Sequence, residues 1–389
     1  MTAPVQVRVE AEEPIRTVRI LPASARVRPR IVGGKLLFTV VQPGQLTVEI
    51  NGDITRSLHI FANRPERKVP KPGDPNVLYF APGIHEVGHL PVRDGTTIYL
   101  APGAVVRCGI GKEEIGEKRA DDKRYYPPSF DIKGDRINVC GRGIIDGELL
   151  PVHSRHLMRL TGTDLRVEGV IFRDAPVWNL PIRASERVKV ENVKMFGYRA
   201  NSDGIDIVSS RDVVVENCFL RTFDDLIVIK SDAEGGPTRN VRVRNCVLWN
   251  EFAHALSLGA EMSAPVSDIR FEDCDVIHDL GREWTLRIFQ SDSALVRDIR
   301  FERIRVEESR RLASVWIGKS FWSRDPERGW VIFRDIATLR GTAEIEVKGF
   351  DAEHLVRDVL FERVSRSGKR LDAASIPLGP FAERVVVRP

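Results

Sequence analysis

The feature that most constrains this chain is a short strand-like pattern that returns many times from residue 137 onward. Its copies begin at residues 137, 165, 188, 213, 241, 269, 299, 331 and 359, at intervals of 23 to 32 residues. In copies such as VVVENC and IRFERI, Val, Ile or Phe occupy most strand positions and a polar turn follows. Repeats of this length indicate a stacked array in which each unit adds one layer.

The array is predicted to be a parallel β-helix. Helical periodicity is absent, and each copy has the residue types and the alternation of a β-strand. One strand-bearing coil per repeat requires parallel pairing, and the usual crossover preference makes the coil right-handed. We therefore predict an all-β chain in which residues 67–389 form a right-handed parallel β-helix.

Residues 1–66 are predicted to form a separate small β-sandwich module. The segment KLLFTVVQPGQLTVEING places two β-rich runs around Pro43 and Gly44, which is a hairpin signal. The polar, proline-containing stretch ANRPERKVPKPGDPN follows and is the best linker. The alternative is a long loop inside a single domain.

Composition argues against several classes of partner and cofactor. The net charge is +4, from 59 basic and 55 acidic residues, and the basic residues are scattered, which does not suggest a nucleic-acid binder. No apolar run reaches transmembrane length, and the five cysteines form no CxxC pair or zinc-type cluster. We predict no cofactor, no metal, no membrane partner and no nucleic-acid partner.

Location and assembly are less constrained. The N-terminus lacks the basic and apolar regions of a signal peptide. A cytoplasmic location is therefore expected, or a secreted one if the chain begins after a removed segment. The oligomeric state stays open.

A second strand ladder lies further along each coil, with strands beginning at residues 205, 227, 256, 286 and 315. In this register Asp203, Asp225 and His254 take equivalent positions on successive coils, Asp224 stands beside them, and Arg287 projects from the next strand. Adjacent coils are about 4.8 Å apart. Three carboxylates, one imidazole and one guanidinium are therefore predicted to meet on one outer face.

Such a cluster suits acid–base chemistry. Like charges at close range raise a carboxyl pKa, which favours a general acid beside carboxylate bases. In sugar hydrolysis a wide carboxyl separation leaves room for water and gives inversion. The alternatives are a solvated turn or a calcium site, and we interpret Asp206, Asp212 and Asp232 as ordinary turn residues.

Two further ladders are predicted to be structural. One is an inward stack of thiols and the other is a turn ladder of polar side chains. Their members are Cys218, Cys246 and Cys274 for the first, and Asn192, Asn217, Asn245 and Asp273 for the second.

Six segments, in order, resemble motifs of the polygalacturonase family, glycoside hydrolase family 28: GRGIIDG, APVWNL, NSDGIDI, FDDLIVIKS, EFAHALSLG and LRIF. The resemblance covers roughly residues 76–365 and implies a pectin-lyase-like β-helix and an inverting glycoside hydrolase. By position, it implies that Asp224 is the general acid and that Asp203 and Asp225 activate water. It further implies that His254 supports the acid and that Arg287 contacts the sugar.

Departures from the family pattern concern the substrate more than the acids. Phe289 replaces the lysine that helps to hold the galacturonate carboxylate, and Phe223 replaces the glycine before the acid pair. We predict that Phe289 offers an apolar surface in the same outward row as Lys230, and that Trp316 also points outward. The predicted substrate-binding residues are therefore Arg287, Phe289, Lys230 and Trp316.

The first coils raise a second possibility for the sugar. Residues 77–106, preceded by a β-module, resemble the first coils of dextranase-type β-helix hydrolases. The predicted function is a polygalacturonase-like hydrolase, exo-acting on pectic or less charged oligosaccharides. The alternatives are a polysaccharide lyase or a non-catalytic carbohydrate-binding β-helix. An insertion at residues 111–130 is either a cleft wall or a surface loop.

Overall fold

The computed structural model describes residues 1–118, 124–319 and 329–389, with residues 329–333 described by their backbone alone. The chain divides into two compact units, Met1–Val69 and Pro70–Pro389. Among the described residues, no helix is long and apolar enough to cross a membrane.

The first unit consists of two three-stranded antiparallel sheets. Leu36, Phe38, Leu46 and Val48 form its apolar core, because alternate residues of their strands point inward. The strands are Val5–Val9, Lys35–Val40 and Arg30–Val32 in one sheet and Val18–Leu21, Gly44–Ile50 and Asp53–Ala62 in the other, with a short 3-10 helix at Ala23–Ala25.

The second unit is a parallel β-helix with three columns of strands. The first column contains the repeated pattern, and every repeat copy pairs in register with the next, as in Val188 with Val213 and Val213 with Val241. Its strands are Val77–Phe80, Thr97–Leu100, Asn138–Gly141, Met158–Glu168, Glu186–Glu191, Arg211–Glu216, Thr238–Arg244, Val266–Glu272, Val296–Glu302, Gly329–Arg334, Val356–Glu362, Ala382–Glu383 and Val386–Arg388.

The second column runs beside the first and presents the outer face predicted to hold the acids. Its strands are Leu90–Val92, Phe130–Asp135, the shared long strand Met158–Glu168, Leu180–Arg183, Ile205–Val208, Ile227–Ser231, Leu256–Met262, Leu286–Gln290, Arg311–Ile317 and Glu344–Lys348. The predicted register is confirmed from Ile205 to Leu286. Beyond that point it is wrong by two residues, because Leu286 pairs with Ala313 and Ile288 pairs with Val315.

The third column closes each coil. Its parallel strands are Gly83–Val87, Ala104–Cys108, Ile144–Asp146, Ile171–Arg173, Lys194–Phe196, Phe219–Thr222, Val247–Asn250, Asp275–Asp279, Arg305–Val306, Ala337–Thr338 and Ser365–Arg366, with Lys369–Arg370 added antiparallel at the end. A 3-10 helix covers Ala373–Ser375, and a small antiparallel pair, Glu117–Lys118 with Arg124–Tyr125, lies in the insertion.

Both structural ladders are confirmed. All five cysteines are free. Cys218, Cys246 and Cys274 are buried in the core, and each thiol lies within hydrogen-bond distance of the carbonyl two residues before it, at 3.3 to 3.4 Å. The residues of the polar turn ladder have φ between 54° and 58°, the left-handed conformation that Asn and Asp adopt most readily among residues with a side chain. The four members are Asn192, Asn217, Asn245 and Asp273.

Candidate active site

Asp203, Asp225 and His254 come together because they precede equivalent strands of the second column. The Gly204 amide donates to the Asp225 carbonyl at 2.8 Å, and the Leu226 amide donates to the His254 carbonyl at 2.9 Å. A Cβ on Gly204 would lie 2.3 Å from the Leu226 carbonyl oxygen, so this turn needs glycine for the two coils to approach. The coil spacing thus brings the three side chains into one row, as predicted.

The three acids form one tight cluster. One carboxylate oxygen from each of Asp203, Asp224 and Asp225 lies within 4.8 Å of the other two. Asp203 and Asp225 are buried, whereas Asp224 is only partly buried. The three carboxylates therefore meet on one outer face, as the sequence predicted, because all three residues lie on two adjacent coils.

Burial and mutual repulsion make these carboxyls hard to ionise together. Burial and the neighbouring Asp224 charge raise the pKa of Asp225 to about 8. Burial and the Asp206 charge raise the pKa of Asp203 well above its usual range, and burial also raises the pKa of Asp224. The cluster therefore retains a proton at neutral pH, which is what a general acid requires.

His254 is held in its neutral form. Its Nδ1 lies 2.7 Å from the Trp284 carbonyl oxygen, which can only accept, so Nδ1 carries the proton. Nε2 then accepts a hydrogen bond from the Arg287 guanidinium and lies 3.9 Å from Asp225. Burial and the Arg287 charge lower the pKa of His254 well below its usual value. The ring therefore links Arg287 to the acids without adding positive charge.

Phe289 and Trp316 differ from the surface that the sequence predicted. Phe289 is only 4% exposed. It stacks on Trp316, with ring centroids 4.2 Å apart and planes at 16°, and the Arg287 guanidinium lies 4.6 Å from its centroid. The Lys348 ammonium, from the next coil, lies 4.3 Å from the Trp316 ring. The prediction of an open aromatic face at Phe289 needs correction, because these neighbours cover the ring and leave partly buried Trp316 as the more accessible member.

Lys230 is also less accessible than expected. Its side chain is buried, with the ammonium 3.2 Å from Asp206, 3.6 Å from Asp203 and 3.8 Å from Glu261. Burial acts to lower the pKa of Lys230, but the charges of Asp206 and Asp203 outweigh it and raise that pKa. The lysine is thus an internal counter-ion of the acids.

Two residues of this site were missed by the sequence reasoning. Asp206 was interpreted as a turn residue, yet it lies within strand Ile205–Val208 with 0% exposure and pairs with Lys230. Trp178 stands one coil before Asp203 in the same row, and its ring lies 4.0 Å from the Lys230 ammonium. The strand register predicts the position of Trp178: Leu180 pairs with Ile205, and Trp178 and Asp203 each stand two residues before these partners.

Carboxylate oxygens this close together could also bind a hard cation such as Ca²⁺. Lys230 and Arg287 already supply positive charge to the same carboxylates. With these two cations beside it, the cluster offers a protonated acid next to further carboxylates.

Comparisons of sequence point to one enzyme family. The sequence model of Glycosyl hydrolases family 28 matches residues 153–326, the stretch that contains every acid of the cluster. A probable polygalacturonase from Vitis vinifera is 25% identical over 161 residues, which is 38% of this chain and 33% of the relative. An exopolygalacturonase from Cochliobolus carbonum is 26% identical over 152 residues, which is 34% of this chain and 32% of the relative. The chain thus spans about a third of the length of these curated relatives.

Comparisons of structure point to the same fold. An exopolygalacturonase from Thermotoga maritima superposes with a TM-score of 0.63 at 18% identity, over 80% of this chain and 84% of that one. A family 28 exopolygalacturonase from Yersinia enterocolitica gives 0.60 at 14% identity, over 90% and 85%. The dextranase Dex49A from Penicillium minioluteum gives 0.66 at 14% identity, over 96% and 78%. The predicted right-handed parallel β-helix is confirmed.

Proposed function

We propose that this chain is a glycoside hydrolase of family 28 that cleaves O-glycosidic bonds of a poly- or oligosaccharide, since its residues 153–326 match the sequence model of that family. The observation that supports this most directly is the cluster of Asp203, Asp224 and Asp225, whose oxygens lie within 4.8 Å of one another. Placing mutually repelling carboxyls together in a largely buried site destabilises the fold. Such an arrangement is typical of an active site, where it shifts the pKa values of catalytic groups.

Each acid has a distinct role in the proposed reaction. Asp224 is the general acid, because it is the most exposed of the three and is the one that a leaving-group oxygen can reach. Asp203 and Asp225 hold and activate the attacking water from the more enclosed side. His254 and Arg287 support the cluster, since the guanidinium donates to the imidazole and its charge lowers the pKa of Asp225 against the effect of burial.

We propose that the reaction inverts the anomeric centre. The match to family 28, whose members invert, supports this outcome. The short carboxyl separation does not, because carboxyls this close are more typical of retention. NMR of the first-formed product settles the stereochemistry. We expect the anomer opposite to that of the substrate, and formation of the same anomer would contradict the assignment of Asp203 and Asp225 as bases.

The proposed substrate is a sugar less charged than plain galacturonan, or a decorated uronate. The ammonium that the family pattern places at position 289 is replaced by the stacked pair of Phe289 and Trp316. Directly before the acid pair, Phe223 stacks on Phe252 with ring centroids 4.5 Å apart, where the family pattern has glycine at position 223. Aromatic side chains favour the apolar faces and methyl groups of sugars over carboxylates.

We also propose attack from the chain end. The row of Asp203 continues upstream to Trp178 and His156, whose rings are 5.6 Å apart, and Tyr125 of the insertion packs edge-on against His156 at 5.5 Å. Tyr125 therefore stands where a longer substrate would extend. The similar proteins include exopolygalacturonases, which agrees with this mode.

A lyase on the same scaffold needs a basic residue that accepts a proton. Arg287 is poorly placed for this, because it donates to His254 and faces the acid cluster. A binding protein without catalysis has no need for three clustered acids. The hydrolase is therefore the function we propose.

The deciding experiment is a screen of reducing-sugar release over pectic, dextran-like and rhamnogalacturonan oligosaccharides. We expect new reducing ends from at least one class without the ultraviolet absorbance of an unsaturated uronide. Release accompanied by that absorbance would identify a lyase. Binding without release from any class would identify a carbohydrate-binding protein.

A further inference from the structure

A buried ion pair lies directly behind Asp203. Asp206 follows three residues later and projects from strand Ile205–Val208, while Lys230 projects from the next strand, Ile227–Ser231. The Lys230 ammonium lies 3.2 Å from Asp206 Oδ1 and 3.6 Å from Asp203 Oδ2. One cation is therefore shared by two carboxylates that are both almost fully buried.

The shared cation cannot compensate both carboxylates equally. Within the described part of the chain, both oxygens of Asp206 and Oδ1 of Asp203 are buried without a well-formed hydrogen bond. A buried carboxylate with so few donors is costly to ionise. Because Asp206 is closer to Lys230, it takes the negative charge more readily, and Asp203 then keeps its proton more strongly. The pKa directions agree, since burial and the Asp206 charge raise the pKa of Asp203 while Lys230 lowers it.

The Lys230 side chain is fixed in this position. The Trp178 ring lies 4.0 Å from the ammonium, a distance at which a cation and an indole attract each other. Glu261, from strand Leu256–Met262, lies 3.8 Å away. A lysine enclosed in this way does not swing toward the substrate, so its charge acts on the acids.

The other charged groups that face these residues come from three elements. Asp224 and Asp225 precede strand Ile227–Ser231, Glu261 belongs to strand Leu256–Met262, and Arg287 belongs to strand Leu286–Gln290. Among these neighbours Lys230 is the cation nearest to Asp203, and Asp206 is the neighbouring anion with the largest effect on it.

We propose that Asp206 and Lys230 are positioning residues with opposite effects on the ionisation of Asp203. Together they set the pH at which activity falls on the acidic side of the pH–activity profile. The proposal rests on the proposed function, in which Asp203 must lose its proton to activate water. Loss of the Asp206 charge should let Asp203 ionise at lower pH. Loss of the Lys230 charge should delay its ionisation to higher pH.

The test compares the pH dependence of kcat/KM for Asp206→Asn and Lys230→Met on the substrate found in the screen. We expect the acidic limb to move down by about one pH unit in Asp206→Asn and up by about one unit in Lys230→Met. Lys230→Arg, which keeps the charge, should stay closer to the wild type than Lys230→Met. Asp212→Asn is the matched control, because Asp212 is bonded by Asn240 away from the cluster. The proposal would be overturned if the acidic limbs of Asp206→Asn and Lys230→Met moved in the same direction, or if neither moved.

A second measurement needs no activity. Burial raises the pKa of Asp206 to about 6 in the folded protein, whereas the pKa of an aspartate in the unfolded chain is about 3.9. Protonated Asp206 therefore stabilises the fold fully at pH values below about 3.9. This contribution is lost as the pH rises through about 6. The wild-type Tm should therefore fall more steeply between about pH 4 and 6 than that of Asp206→Asn. Equal slopes would contradict the buried pair even if Lys230→Met fails to fold. A wild type that hydrolyses no glycan would reject the proposed function, while the Tm slopes still report on the pair.

Discussion

At the scale of single residues, the site separates the group that gives a proton from the groups that support it. His254 is neutral, because its Nδ1 proton is held by the Trp284 carbonyl and its Nε2 accepts from Arg287. A neutral imidazole without a free proton toward the cleft is a poor general acid. The proton that leaves with the glycosidic oxygen must then come from the carboxyl cluster, where partly buried Asp224 is the accessible member.

Replacing Asp224 tests this assignment. Asp224→Asn keeps the size of the side chain but removes the transferable proton, so kcat should fall by roughly 10²–10⁴-fold, as for the loss of a general acid. Asp232→Asn is the control, because Asp232 pairs with Arg183 outside the cluster. Circular dichroism and Tm should show that both variants fold. Turnover near that of the wild type in Asp224→Asn would transfer the acid role to another residue.

At the scale of strands, register decided how much of the site could be predicted. The pattern of alternating apolar residues set Ile205, Ile227 and Leu256 on one ladder, and the acids followed because they precede those strands. Trp316 was placed beside Arg287, whereas its partner is Phe289 and Ser314 pairs with Arg287. The segment Leu-Ala-Ser-Val-Trp-Ile alternates equally well in either register, so its pattern could not distinguish a shift of two residues.

The burial of polar residues was the harder part to predict. Asp206 lies on the outward side of its strand, and outward positions are usually solvated. It is nevertheless fully buried, because the long Lys230 side chain lies over it. Alternation gives the direction of a side chain, but not what a neighbouring coil places above it.

The stacked pair of Phe289 and Trp316 allows a test of substrate charge. Phe289→Lys should raise activity on polygalacturonate relative to the native substrate, since one charge-assisted contact contributes about 1.5–3 kcal/mol, or ten- to a hundred-fold. Phe289→Leu is the control, because it removes the stack without adding charge. Ratios of kcat/KM on the two substrates measure the effect. Vigorous cleavage of polygalacturonate by the unmodified enzyme, or an equal gain in Phe289→Leu, would contradict the role of charge.

At the scale of the whole β-helix, the repeats made the fold predictable and the insertion remained ambiguous. Nine copies of one strand pattern leave few ways to bury their apolar residues other than stacking coil on coil. The insertion at residues 111–130 follows no repeat, and residues 119–123 lie outside the described part of the chain. In the described part, buried Arg155 pairs with Glu114 and donates to the Gly109 carbonyl at 3.0 Å, which anchors the insertion to the coils.

That anchor leads to a prediction about the mode of attack. Tyr125 packs on His156, which stands two coils before Asp203 in the same row, so the insertion should limit how far a polymer can extend past the acids. On a polymeric form of the substrate, the wild type should release short products from the start while viscosity falls slowly. Tyr125→Ala and Glu114→Ala should each increase the loss of viscosity per bond cleaved, because one shortens the barrier and the other releases it from Arg155. Tyr79→Ala is the control, since Tyr79 pairs with Tyr99 and lies outside this row. A rapid fall in viscosity with the wild type, together with products of many lengths, would show that the cleft is open and that the enzyme attacks within the chain.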